Sequence, residues 1–230
     1  MVPDIGERPV ITQFVLGSRS PRRRDLLSLI VPVEHILVRP PRDPAELEFD
    51  GLTSAVAIEA RLIEIAQAKF ADVQDQLSEA RPESNQSRRC VVIAADTTIV
   101  VPQRDGSLHV IGQPPADDSW KTVVRGWFQA QFAGRTHAAV TSLHVGIVGG
   151  PVVRRLVRTE VEFIADVDRY LEWYLNTGEP IGKAGGYALQ GAGSVFISKV
   201  TGSLSNVIGL PLEALWDCFS ELQIDVARNR

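Results

Sequence analysis

The sequence predicts an α/β protein, a mixed and twisted sheet flanked by helices. Three observations carry that expectation. An apolar run over 10–16 reads as a buried strand and passes through Gly17 straight into a helix start. A second apolar run, 90–95, follows a long amphipathic helix, the pattern of a strand–helix–strand crossover. Two long runs, 137–148 and 152–164, meet at Gly149-Gly150 as an antiparallel pair would. Crossovers mixed with long antiparallel strands need a sheet covered on both faces.

The 230 residues suffice for one domain or two small ones. Hydrophobic residues make up 44% and charged residues 23%, an ordinary globular balance. A formal net charge of −4 argues against broad electrostatic binding to nucleic acid or to anionic lipid. The first residues lack the apolar core of a signal peptide, and no apolar run is long enough to span a bilayer. Cys90 and Cys218 lie in apolar patterns and read as core residues rather than a disulfide or metal pair. The expected setting is therefore the reducing cytoplasm.

In order along the chain, residues 1–13 form a tail and 14–225 the folded domain. Ser20 stands at an N-cap position and Pro21 at the first helical position of a helix over 21–30. Residues 33–38 read as a second strand, and the prolines of 39–44 make a loop. Over 53–77 the spacing predicts a helix with Ile58, Leu62, Ile65, Ala66, Phe70, Val73 and Leu77 on one face. The polar stretch 78–89 has no periodicity and reads as a mobile insert. The strand 90–95 ends at Asp96, resumes at Ile99, and turns back at Asp105-Gly106. Helices are expected from Pro115, with Trp120, Val123, Val124, Trp127, Phe128 and Phe132 inward, and from a cap at Asp166, with Tyr170, Leu171, Trp173 and Tyr174 inward. After a glycine-rich segment, 178–191, come a strand over 194–200, a turn at 202–206 and a final helix from Pro211 to about Leu222.

The chemistry centres on Gly17-Ser18-Arg19-Ser20-Pro21-Arg22-Arg23-Arg24. A glycine turn opening into a helix leaves backbone N–H groups pointing one way, which favours an anion. Arginines there oppose the helix dipole unless an anion arrives, and their planar forks suit phosphate oxygens. Asp96, at the end of an apolar strand, needs a partner, a metal or a catalytic role. Glu179 and Lys183 read equally as ligand-facing groups or as a solvated surface pair. Lys69, interrupting an apolar helix face, reads as a snorkelling side chain. Gln190 could read a base edge or satisfy backbone. Four scattered histidines lack metal-ligand spacing. Without a Walker motif, the arginine-lined helix start and the carboxylate together suit metal-assisted hydrolysis of a phosphate ester or anhydride.

Four stretches in register resemble the Maf-like nucleoside triphosphate pyrophosphatases. They are Leu16 to Leu27, Ala94 to Val100, Gly178 to Pro180 with Lys183 to Gly191, and Gly202 to Leu212. The resemblance implies a two-lobed fold with a central cleft, a divalent metal (Mg²⁺ or Mn²⁺), a nucleoside triphosphate substrate and a possible homodimer. It also implies cleavage to the monophosphate and pyrophosphate. Asp96 resembles the proton acceptor and, with Glu179, a metal ligand. Arg22, Thr97 and Gln190 resemble positions tied to substrate choice. Ser18, Arg23, Lys69 and Lys183 resemble groups that hold phosphates. The segment ending Ala188-Leu189-Gln190 is similar to the dTTP/UTP branch rather than the 7-methyl-GTP branch. Two positions depart: Gln113 stands where the family usually has lysine, and Gly182 where it often has aspartate. The alternatives are a 7-methyl-GTP-type enzyme and a regulatory nucleotide binder with little turnover; Gln113 is the sign pointing to the binder. Neither nucleic-acid nor membrane binding is expected.

Overall fold

A computed structural model describes residues 11–43, 47–80 and 88–226. Most of the N-terminal tail and residues 81–87 of the polar insert lie outside that range. The described residues contain one seven-stranded mixed sheet flanked by helices. In chain order come β1 (Ile11–Leu16), α1 (Pro21–Ser28), β2 (Ile36–Val38), α2 (Ala55–Glu79), β3 (Arg88–Pro102) and β4 (Leu108–Ile111). They are followed by α3 (Trp120–Trp127), β5 (Thr136–Ile147), β6 (Val152–Phe163), α4 (Asp168–Asn176), β7 (Ile197–Thr201), α5 (Leu204–Ile208) and α6 (Leu212–Glu221). The strand order is β2-β1-β3-β5-β6-β7, with β4 also on β3. β1 runs parallel to β2 and β3, and the other pairs are antiparallel.

β3 explains the two lobes. Alternate strand residues face opposite sides. Val91, Ile93 and Ala95 pack with Leu26 and Leu27 of α1 and with Leu215, Cys218 and Phe219 of α6. Further along, Ile99 and Val101 pack with Val124 of α3, the π-helical turn Phe128–Phe132, and Leu171 and Tyr174 of α4. The intervening residues meet α2: Val92 and Ala94 lie under Phe70, Val73 and Leu77, and Val100 under Ile58 and Leu62. The buried face of α2 is the one its spacing predicts, with Gln76 added.

Several local expectations shift. Residues 33–35 form a 3₁₀ turn before β2, and 192–196 another before β7. The expected turn at 202–206 is largely the short helix α5, capped by the Ser203 hydroxyl. Asp166 is not the cap of α4, whose N-cap is Val167. Asp117 precedes α3 and accepts from Ser119 N at 2.9 Å. Trp173 is 53% exposed rather than inward. The main correction concerns β3, which does not end at Asp96 but pairs with β5 continuously from Val91 to Val100. The sequence break at Asp96-Thr97-Thr98 is chemical, not structural.

Candidate active site

On its other edge β3 has a gap. β1 pairs with it as far as Ile93, and β4 begins only at Ile99. The 94–98 stretch therefore borders an opening between the two neighbouring strands. A cleft of about 630 Å³ occupies it, lined by both lobes. The arginine-bearing helix start and the central carboxylate share this one cavity, as the sequence pairing requires.

Asp96, 7% exposed, points to the α2 face, where Lys69 Nζ donates to its Oδ1 at 2.5 Å. Lys69 is thus an ion-pair partner, not a snorkelling side chain. Its position between the two apolar clusters under α2 sets it above Asp96. A pair this buried holds its geometry firmly, because losing either partner strands the other charge. Thr97 faces the opposite side, where its hydroxyl lies 2.9 Å from that of Thr141.

Arg23 ties the helix start to this floor. It donates from Nε to Gly209 O (2.8 Å), from one terminal nitrogen to Ser18 Oγ (3.2 Å) and from the other to Thr97 Oγ1 (3.2 Å). Ser18, not Ser20, supplies the hydroxyl of the turn, since Ser18 Oγ accepts from Ser20 N at 3.1 Å. Ser20 occupies the N-cap without a side-chain bond. Gly209, at φ 126, turns its carbonyl into reach of Arg23. Thr141 and Gly209 were not singled out from the sequence, because both meet the site only through long-range contacts.

Arg22 reaches across the cleft to Gly182 O at 3.5 Å. Lys183 lies beside it and donates to the backbone carbonyl of Glu179. Burial, then the neighbouring Arg22 charge, lower the Lys183 pKa. Burial lowers that of Arg22, with Glu179 opposing. Two cations this close with their charge partly desolvated favour an anion between them. Gln190 and Gln113 also line the cleft, as do Phe49, Tyr187 and Ile208. The cavity thus has a cationic end and apolar surface, the two features a nucleotide needs.

Glu179 is not itself among the lining residues, although its charge acts on Arg22 and Lys183, which are. Its Oε2 accepts from Ala192 N (2.7 Å), and its Oε1 from Gly193 N (2.8 Å) and the Tyr174 hydroxyl (3.2 Å). Both oxygens of Glu179, expected with Asp96 as a metal ligand, are thus engaged by protein donors. Among the described residues no group of three or more His, Cys, Asp or Glu is placed to hold a metal ion. Asp96 still fits Mg²⁺, which is commonly held by one or two carboxylates with water and substrate phosphates completing the shell. Cys90 and Cys218 are not in a disulfide. No helix among the described residues is long and apolar enough to cross a membrane.

Known proteins similar to this chain share a family. A dTTP/UTP pyrophosphatase of Burkholderia lata is 37% identical over 201 residues, 86% of this chain and 87% of its own length. One from Anaeromyxobacter dehalogenans is 32% identical over 203 residues, covering 87% and 89%. One from Shewanella denitrificans is 33% identical over 204 residues, covering 86% and 90%. A solved nucleoside-triphosphatase / dITP/XTP pyrophosphatase of Mycobacterium abscessus aligns over 92% of this chain and 97% of its own. Its TM-score is 0.37 and its identity 13%, too distant to bear on the site. The family model for Maf-like protein matches residues 13–222, and the chain belongs to that family.

Proposed function

We propose that this protein hydrolyses pyrimidine nucleoside triphosphates, dTTP and UTP first, to the monophosphate and pyrophosphate. The observation that carries the reading is the Lys69-held Asp96 carboxylate on the floor of a cleft whose rim bears Ser18, Arg22 and Lys183. The names of the relatives support the substrate class.

In this reading Arg22 and Lys183 take the phosphate chain, and Ser18 with the backbone of the helix start takes a terminal oxygen. Arg23 positions Ser18 and Thr97 from behind. Asp96 accepts a proton from water, whose oxygen bonds to the α phosphorus as the bond to the β-phosphate oxygen breaks. A divalent cation held by Asp96 and the phosphates would neutralise charge on the leaving pyrophosphate. Lys69 keeps the Asp96 carboxylate oriented towards the cleft. Gln190, a neutral amide that lines the cleft, meets a base edge in this reading, and the apolar surface of Phe49 and Ile208 packs against the ring. The undisulfided cysteines suit a reducing compartment.

The test is pyrophosphate release by pure protein across a nucleotide panel with Mg²⁺ and Mn²⁺. Asp96→Asn should lower kcat by about 10²–10⁴, the usual contribution of a general base. Activity undiminished in that variant removes Asp96 from the mechanism. Tight binding with no product for any nucleotide replaces the enzyme with a nucleotide binder. Sedimentation of the same sample tests the expected homodimer.

A further inference from the structure

We infer that Glu179 is a positioning residue: its carboxylate clamps the turn that presents Gln190 to the cleft, and so sets nucleobase discrimination. For its readout the inference rests on the pyrophosphatase reading; for its cause it rests on geometry alone. The Glu179 carboxylate accepts from two consecutive backbone amides, Ala192 N at 2.7 Å and Gly193 N at 2.8 Å. These amides open the 3₁₀ turn Ala192–Phe196, and the first N–H groups of any such turn lack an internal partner. Just upstream, Gly191 N donates to Ala188 O at 3.3 Å, which closes a tight turn with Gln190 at its corner. Fixing Ala192 and Gly193 therefore fixes the far side of the Gln190 turn.

Two glycines keep room for this clamp. Gly191 has an ordinary φ of −117°, so its backbone does not require glycine. Its space does, because a Cβ there would overlap Glu179 Oε2. A Cβ on Gly193 would lie 3.0 Å from the Tyr174 hydroxyl. That hydroxyl is shared between Glu179 Oε1 at 3.2 Å and Gly186 O at 3.0 Å, and so ties in the segment before the turn. The Glu179 backbone carbonyl accepts from the Lys183 ammonium. One residue thus holds two cleft side chains, Gln190 through its carboxylate and Lys183 through its carbonyl.

The experiment compares wild type, Glu179→Gln and Gly191→Ala. The first keeps the size but turns an NH₂ towards one of the two backbone donors. The second keeps the carboxylate and fills its seat. The measurements are kcat/KM for dTTP, UTP and GTP at saturating Mg²⁺, and the Mg²⁺ concentration for half activation. In both variants the pyrimidine-over-purine ratio should fall about tenfold, the scale of one hydrogen bond's net contribution. The half-activation concentration should not move. A large rise in that concentration with the ratio intact would make Glu179 a metal ligand and overturn the inference. So would an unchanged ratio in Gly191→Ala. If wild type releases no pyrophosphate, the pyrophosphatase reading fails separately, and the ratio is read from calorimetric dissociation constants of the same nucleotides. An unchanged binding ratio in Glu179→Gln then overturns the clamp, and a collapsed one supports it. Should either variant lose its native circular dichroism, Tyr174→Phe removes one of the three donors to Glu179 and gives the same comparison.

Discussion

Protonation of two buried histidines should erode the fold between pH 7 and pH 5. His144 lies on β5 beside the Phe70 ring, 1% exposed, with neither ring nitrogen hydrogen-bonded. Burial first, then Arg154 opposite it on β6, lower its pKa to about 4. His137 sits among Phe132, Phe163 and Tyr187, 2.8 Å from the Tyr187 hydroxyl through Nε2, with Nδ1 unpartnered. Burial lowers its pKa to about 3. In the unfolded chain each takes up a proton near pH 6.5. Between these values the unfolded state binds more protons, so stability rises with pH and is lost as pH falls. At pH 5 the difference is about 1.5 pH units for each group, or about 2 kcal/mol per histidine and about 4 kcal/mol together. Hydroxyl hydrogen bonds hold Asp105, Asp117 and Glu213 below their usual pKa values, so their effects fall below this window. The assay is urea unfolding at pH 7.0 and 5.0 for wild type and His144→Leu. The variant removes two unpaired nitrogens at similar volume and should lose about 2 kcal/mol of the wild-type pH dependence. An identical pH dependence in the two proteins would refute a neutral, buried His144.

Three further outcomes follow from the same packing. Arg23→Lys gives up a fork that spans Gly209, Ser18 and Thr97, and should cost about 1–3 kcal/mol in denaturant unfolding with a raised nucleotide KM. Asn206→Ala removes an amide that donates to Ala139 O, Val157 O and Thr159 Oγ1 beneath β5 and β6, and should cost about 2–4 kcal/mol by the same measurement. Gly146→Ala places a Cβ 2.7 Å from the Phe70 ring and 2.9 Å from Val152, and should lower stability by about 1–3 kcal/mol, read as a lower unfolding midpoint.

What lies close in sequence could be read from it. The α2 face followed from the spacing of Ile58 to Leu77, because one helix sees one side of the sheet. The β5–β6 pair followed from alternation and a Gly-Gly turn, and the loop-to-helix passage at 17–21 from Pro21 and the residue types around it. Those patterns, with the four motifs in register, were enough to name the fold class and the family.

Pairing across long separations was decided only in three dimensions. Asp96 looked like a strand end because polar residues interrupt the apolar run, yet partners on β5 carry β3 straight through it. The opening beside it exists because β1 and β4 leave the same edge uncovered. Lys69 could not be distinguished from a surface lysine until α2 set it over a carboxylate 27 positions away. Glu179 read equally as a ligand-facing group or a surface pair, and only folding brought the amides of Ala192 and Gly193 within reach of its oxygens. A sequence fixes which groups can carry charge and which runs can form hydrogen-bonded elements. Only the packed chain determines which charges meet, because burial makes an unpaired one too costly to leave.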